Sequence, residues 1–170
     1  MMAAAAAAEN GGNVTLLEKM PRVGRKMMIT GKGRCNVTSA DDVPEIIKNV
    51  VGNGRFLNSC LRAFDNADVI NFFDKLGVPL KTERGNRVFP QSDHAVDVVD
   101  AMLHHLRDCG AEVRTNTAVR KLILEDGSVH GVCLSDGSCL AADAVILATG
   151  GASYPATGST GDGYALARAA

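Results

Sequence analysis

The chain has 170 residues, an ordinary apolar content and a formal net charge of −1. That length allows one domain with its own core, and the near-zero charge argues against broad nonspecific nucleic-acid binding, which needs a strongly basic surface. No apolar run approaches the ~18–20 residues of a membrane span, and the opening MMAAAAAA lacks the basic segment of a signal peptide.

Alanine is the best helix former, so Met1 to about Glu9 predicts a helix that closes at Asn10-Gly11-Gly12. A strand, Val14–Glu18, follows at once. Helix, glycine turn and a strand ending in an acid form the second half of a βαβ dinucleotide-binding unit. There the acid stands ~20 residues after a glycine fingerprint and bonds ribose hydroxyls. Glu18 stands at that place, and the fingerprint and first strand would have to lie before Met1.

Glu18–Asn36, EKMPRVGRKMMITGKGRCN, sets Lys19, Arg22, Arg25, Lys26, Lys32 and Arg34 among glycines. Flexible backbone N–H groups close to positive charge suit an extended anionic ligand; a solvated basic loop has the same composition. A phosphate loop is excluded: Gly24 stands too far upstream of Gly31-Lys32, and Gly33 replaces the hydroxyl residue that would hold magnesium.

Helix starts are expected at Asp41-Asp42-Val43-Pro44, over Arg55–Phe64, and at Asp65, which caps Ala67–Leu76 before Gly77. Phe56, Leu61, Phe64, Phe72 and Phe73 are read as the core of this small helical section. Lys81–Pro90 reads as a turn-rich connector with a short strand at Arg87–Phe89. Ser92 caps a helix over Asp93–Asp108, whose apolar face holds Val98, Val99, Met102, Leu103 and Leu106, and Gly110 ends it. His94, His104 and His105 are read as ordinary helix residues, with no Cys or carboxylate set converging on them.

Strands follow at Ala111–Thr115, Ala118–Leu124, Ser128–Leu134 and from Cys139. Asp126-Gly127 and Asp136-Gly137 are hairpin signals, so the last three make a meander. Two-residue turns would set Cys139 opposite Leu134, which disfavours a Cys133–Cys139 disulfide. The five cysteines form no C-x-x-C pair, so reduced thiols in a cytoplasmic protein, and no metal site, are expected. Ala144–Ala148 reads as a buried parallel strand running into Thr149-Gly150-Gly151, where a ligand can approach the backbone. Gly158–Gly163 leads into a helix from Tyr164.

Taken in order, Glu18 after its strand, GRKMMITGKGRCN, NRVFPQSD, the meander and ILATGGASYPATGSTGDGY closely resemble one family of two-domain FAD flavoproteins. Its members include aminoacetone-oxidase-like proteins and 3-dehydro-bile-acid reductases. The resemblance covers essentially the whole chain and implies an α/β, partial Rossmann-like FAD-binding domain, with a parallel sheet, a β-meander and a small helical insertion. The FAD-binding part would be residues 1–50 and 90–170 and the insertion 51–89, with the central first strand and the substrate domain lying outside this chain.

By that resemblance Glu18 binds the adenosine ribose, with Lys19 beside it. Gly24, Arg25, Lys26 and the segment Thr30, Gly31, Gly33, Arg34, Cys35 and Asn36 line the pyrophosphate, ribitol and flavin. Val119 meets the adenine, and Thr149, Gly150 and Gly151 close over the dinucleotide. The expected function is that of a fragment of an FAD-dependent oxidoreductase acting on a small organic substrate, with NAD(P)H as a possible electron donor. The alternatives are a non-catalytic nucleotide-binding module and a flavoprotein linked to tRNA modification. No catalytic acid or base is assigned. Cys35 reads either as a redox thiol, its pKa lowered by nearby cations, or as a packed cysteine. The 170 residues alone are expected to bind FAD weakly or not at all.

Overall fold

The structure, a computed structural model, describes residues 1–170. In chain order its elements are α1 (Met2–Glu9), β1 (Thr15–Leu17), α2 (Arg25–Ile29), β2 (Thr38–Ser39), α3 (Val43–Lys48), α4 (Asn58–Ala63), α5 (Asn66–Lys75), β3 (Leu80–Glu83), β4 (Arg87–Pro90), α6 (Ala95–Asp108), β5 (Glu112–Arg114), β6 (Val119–Glu125), β7 (Ser128–Leu134), β8 (Cys139–Ala141) and α7 (Asp162–Ala169). No helix is long and apolar enough to cross a membrane. The chain divides into two compact units, Met1–Lys26 with His105–Ala170, and Met27–His104.

The first unit is built on a parallel pair, β1 with β5, in the register Thr15↔Glu112, Leu16↔Val113 and Leu17↔Arg114. Its core is small: Ala4 and Ala5 of α1 pack with Leu106 and Ala111, flanked by Val14, Leu16 and Val113. Alanines let the helix lie close to the strands, which explains a run that propensity alone would only mark as helical.

The meander β6–β7–β8 is antiparallel. Its first turn is the two-residue kind the sequence predicts, with positive φ at both Asp126 (50°) and Gly127 (75°). The second turn differs from expectation. Leu134 N–H donates to the Ser138 carbonyl at 2.8 Å, leaving a three-residue loop, Ser135–Gly137, with Gly137 at φ 93°. That one extra residue moves the register so that Cys133 faces Cys139, and the two form a disulfide, contrary to the sequence reading.

Ala144–Ala148 also departs from expectation: it is not a strand. β1 has β5 on one side and no strand on the other. No ladder therefore takes up the backbone groups of this run, and Ile146 and Leu147 are 63% and 39% exposed.

The second unit centres on an antiparallel sheet in the order β2-β4-β3. The expected connector Lys81–Pro90 is in fact a hairpin, turning at Gly85 (φ 76°) and Asn86 (φ 53°), and β2 completes it across Thr38↔Val88. Two of the three expected helix caps form; the third does not, since Asp93 takes a φ of 60° and α6 begins at Ala95, not after Ser92. Asp42 accepts the Glu45 N–H at 2.9 Å, and Asp65 and Asp68 form a reciprocal capping box.

The aromatic core is a correction. Phe73 is buried, but Phe56 is 80% and Phe64 39% exposed, while Phe89, in the middle strand, is fully buried. Residues Gly54–Ala63 form only one short 3₁₀ turn and a six-residue helix, too short to enclose their own side chains.

Candidate functional site

In the first unit, the backbone of Glu18 is fixed just past the end of β1: its N–H donates to the Arg114 carbonyl and its carbonyl accepts from Thr117 N–H, both at 2.9 Å. Its Oε1 accepts the Met20 N–H at 2.8 Å, which holds the carboxylate at the carboxyl edge of the parallel pair, where α/β sheets bind ligands. Val119 follows two residues after Thr117 and pairs with Leu134. An open groove lined by Arg114, Asn116, Thr117, Ala118 and Leu134 runs beside it.

The glycine-rich segment after Thr149 lies on the residues that follow Glu18. Lys19 Nζ bonds Asp162 Oδ2 at 2.5 Å and also the Thr160 hydroxyl. The Lys19 bond, and after it the Thr160 hydroxyl donating to Asp162 Oδ1 at 2.7 Å, hold the Asp162 carboxyl below its ordinary pKa. Arg25 Nη2 donates to the Ala156 carbonyl at 2.9 Å, and Lys26 Nζ stands 4.3 Å from the centre of the Tyr154 ring. Gly24 takes a left-handed φ of 72° immediately before α2. Gly151 accepts the Gly161 N–H at 3.2 Å, Gly150 faces Ser159, and a side chain on Gly163 would strike the Thr149 hydroxyl. The structure thus brings Lys19, Arg25, Lys26 and Thr149–Gly151 together through residues 149–163.

In the second unit, Thr30–Asn36 is a tight turn in which Gly31, Lys32, Gly33 and Cys35 all have positive φ. Thr30 braces it, accepting the Cys35 N–H at 3.1 Å and donating its hydroxyl to the Met27 carbonyl at 3.0 Å. A Cβ on Gly31 would lie 2.5 Å from the Phe89 ring, whereas one on Gly33 would meet nothing closer than 3.9 Å. Arg34 Nη1 donates to both Glu83 oxygens (2.9 and 3.0 Å) and to Asp93 (3.2 Å), and its guanidinium stacks 4.0 Å above Phe89. Lys81 bonds Asp93 at 2.6 Å; that bond and Arg34 draw the Asp93 pKa down. Asn36, with its amide nitrogen oriented to donate, faces the carbonyls of Thr38 (3.1 Å) and Val88 (3.2 Å).

Cys35 is 3% exposed, and its burial pushes the thiol pKa up. The shift runs opposite to the one a redox thiol activated by neighbouring cations would need. The packed reading of Cys35 stands.

The charges decide whether an anionic dinucleotide suits these residues. Lys19 is compensated by Asp162, and Arg34 by Glu83 and Asp93. Arg25 and Lys26 are held by a carbonyl and a ring, neither of which cancels their charge, and Lys32 is exposed without an acid beside it. In the first unit, with one Glu18 oxygen engaged by the Met20 N–H and Arg25 and Lys26 without acid partners, the residues fit a ligand carrying ribose hydroxyls and phosphates.

One convergence escaped the sequence. Glu9 Oε1 stands 3.1 Å from His105 Nε2, and Cys109 Sγ lies 3.9 Å from the same nitrogen. A carboxylate and a thiol thus do gather at His105, contrary to the expectation from sequence. The one available signal was the four-residue step from His105 to Cys109 on a single helix.

Fold and site together define a Rossmann-type domain whose residues suit an anionic dinucleotide. The chain belongs to the HI0933-like protein Rossmann domain family, whose model matches residues 1–170. It is 35% identical over 178 aligned residues to a 3-dehydro-bile acid delta(4,6)-reductase of Clostridium scindens, covering 99% of this chain and 40% of the relative. A ribosomal RNA dihydrouridine synthase of Haemophilus influenzae is 27% identical, over 98% of this chain and 41% of its own length. The chain therefore spans about two fifths of the curated relatives it matches. Among solved structures, Thermovibrio ammonificans THI4 shares the fold at a TM-score of 0.59 and 17% identity, over 87% of this chain and 52% of that one.

Proposed function

We propose that the whole protein is an FAD-dependent reductase that adds hydrogen to a small organic substrate, with NAD(P)H as the electron donor. The carrying observation is the Glu18 carboxylate, anchored by the Met20 N–H at the carboxyl edge of β1, in a unit that also holds Arg25 and Lys26 without acid partners. When bound, FAD supplies the hydride chemistry, and the protein binds and orients it. In the first unit, Glu18 takes the ribose hydroxyls, Lys19, Gly24, Arg25 and Lys26 follow the phosphates, Val119 meets the adenine, and Thr149, Gly150 and Gly151 cover the dinucleotide. In the second unit, the turn of Thr30, Gly31, Gly33, Arg34, Cys35 and Asn36 offers backbone groups of the kind a dinucleotide cofactor takes. Arg34 serves there as an internal brace, because its guanidinium is taken by Glu83 and Asp93.

The names of both relatives describe reduction of a carbon–carbon double bond, one in a bile acid and one in a uridine of ribosomal RNA. That supports reduction over oxidation, and the higher identity to the bile-acid enzyme favours the small molecule. A ribonucleic-acid substrate is the second reading, and the near-neutral charge weighs against it. The test is anaerobic. The whole protein, purified with its flavin, should bleach on addition of NADH or NADPH and recover colour with an unsaturated ketone of the steroid type. Recovery only with ribosomal RNA would move the substrate to the second reading. Bound FAD that neither donor reduces would leave a non-catalytic binding module.

A further inference from the structure

The last turn of α6 and the last residue of α1 share a side-chain cluster well away from Glu18. Both helices run into short turns that open β1 and β5, so the cluster belongs to the end of the parallel pair where the strands begin. Glu18 stands where β1 ends. Cys109 N–H donates to the His105 carbonyl at 3.0 Å, so helical geometry persists through Cys109 and sets the two side chains on one face. Glu9 then approaches from α1. His105 Nε2 is 3.1 Å from Glu9 Oε1 and 3.9 Å from Cys109 Sγ, and the three donor atoms all lie within 4.8 Å of one another.

A tetrahedral zinc ion has bonds of about 2.0–2.1 Å to nitrogen, about 2.3 Å to sulfur and about 2.0–2.2 Å to oxygen, which separates neighbouring ligand atoms by about 3.3–3.6 Å. The 3.1 and 3.9 Å separations lie on either side of that range. The chemistry of the donors narrows the cation. A thiolate disfavours magnesium and calcium, while one nitrogen, one sulfur and one oxygen suit a borderline ion with no strong geometric demand. Asp108, next in sequence to Cys109, adds a further negative charge.

We propose that Glu9, His105 and Cys109 bind one Zn²⁺ ion, with water as the fourth ligand. On binding, the Cys109 S–H bond breaks, its electron pair goes to zinc and its proton to solvent; His105 binds as neutral imidazole and Glu9 as carboxylate. The negative charge of Glu9 at the cluster favours a dication. The role this assigns is structural: one ion would tie the end of α1 to the end of α6, beside the core of Ala4, Ala5, Leu106 and Ala111.

The experiment is a zinc titration of the metal-free full chain in reductant, followed by calorimetry, with cobalt(II) as a spectroscopic substitute. One equivalent of zinc should bind and release about one proton per ion, the Cys109 thiol proton. Cobalt should give a thiolate charge-transfer band that Cys109→Ser abolishes. His105→Asn should weaken zinc by more than about 100-fold, beyond the 10–100-fold that loss of an outer-shell partner costs, and Glu9→Gln by less. Circular dichroism screens each variant for folding, and Cys109→Ser, which changes one atom, decides the matter if His105→Asn does not fold. The absence of zinc uptake at micromolar metal would overturn the proposal. So would uptake that both variants leave unchanged, which would assign the metal to other thiols such as a reduced Cys133–Cys139 pair.

Discussion

Two glycine-bearing segments, Thr30–Asn36 and Tyr154–Asp162, are held in opposite ways. The first is braced by charge within its own unit: Arg34 lies on Phe89 and is shared by Glu83 and Asp93. The second rests on Lys19, Arg25 and Lys26, of which only Lys19 meets a carboxylate. Charge is consumed as scaffolding in one and kept in reserve in the other. A basic residue near a glycine turn is thus no guide to ligand binding until its acid partners are known.

The largest effect should come from crowding the braced turn. Gly31→Val sets side-chain atoms against Phe89 at a φ of 57°. Overpacking and left-handed strain together should destabilise the second unit by about 3–4 kcal/mol in urea unfolding. Gly33→Ala, at φ 88° with open space around it, should cost only about 1–2 kcal/mol. Equal costs would break the contrast.

Next in size is Glu18→Gln in the flavin-loaded whole protein. The amide keeps the Met20 contact but loses the charge-assisted bond to a ribose hydroxyl. FAD affinity should fall by about 10-fold or more, read from flavin fluorescence, with Tm of the cofactor-free protein little changed. Smaller still, Lys26→Ala should weaken FAD a few-fold at low salt and hardly at all at high salt. Lys19→Ala should instead speed proteolysis within residues 158–162. If the two lysines behave alike, the distinction between reserved and consumed charge fails.

The smallest effect is acid dependence. Asp162 has its folded pKa below the unfolded value of about 3.9, so its contribution is complete above that value and is lost as pH falls through the folded pKa. Asp162→Asn should therefore be less stable than the parent at pH 7, and the gap should close as pH falls below about 3.9. A gap that persists in acid would mean the residue acts by packing.

Local features were legible in the sequence. Asp42 and Asp65 cap their helices because the bond joins residues three apart, and Glu18 was placed by a helix, a glycine turn and a strand in immediate succession. What escaped depends on partners distant in the chain. Thr38–Ser39 becomes a strand only because Val88 lies beside it. Phe56 was read as core because it is aromatic, but burial is decided by what neighbours can cover it. The disulfide was missed by a single residue of loop length, since Asp-Gly marks a turn without fixing whether Ser135 belongs to it. Ala144–Ala148 has the composition of a strand and lacks only a neighbour.

The Cys133–Cys139 bridge makes the tip of the second hairpin a small covalent ring. A protease that cuts inside Ser135–Ser138 would therefore leave no shorter species on a denaturing gel without reductant. With reductant the same sample would separate into two pieces, so a nicked population would pass for intact protein in any assay that spares the bond.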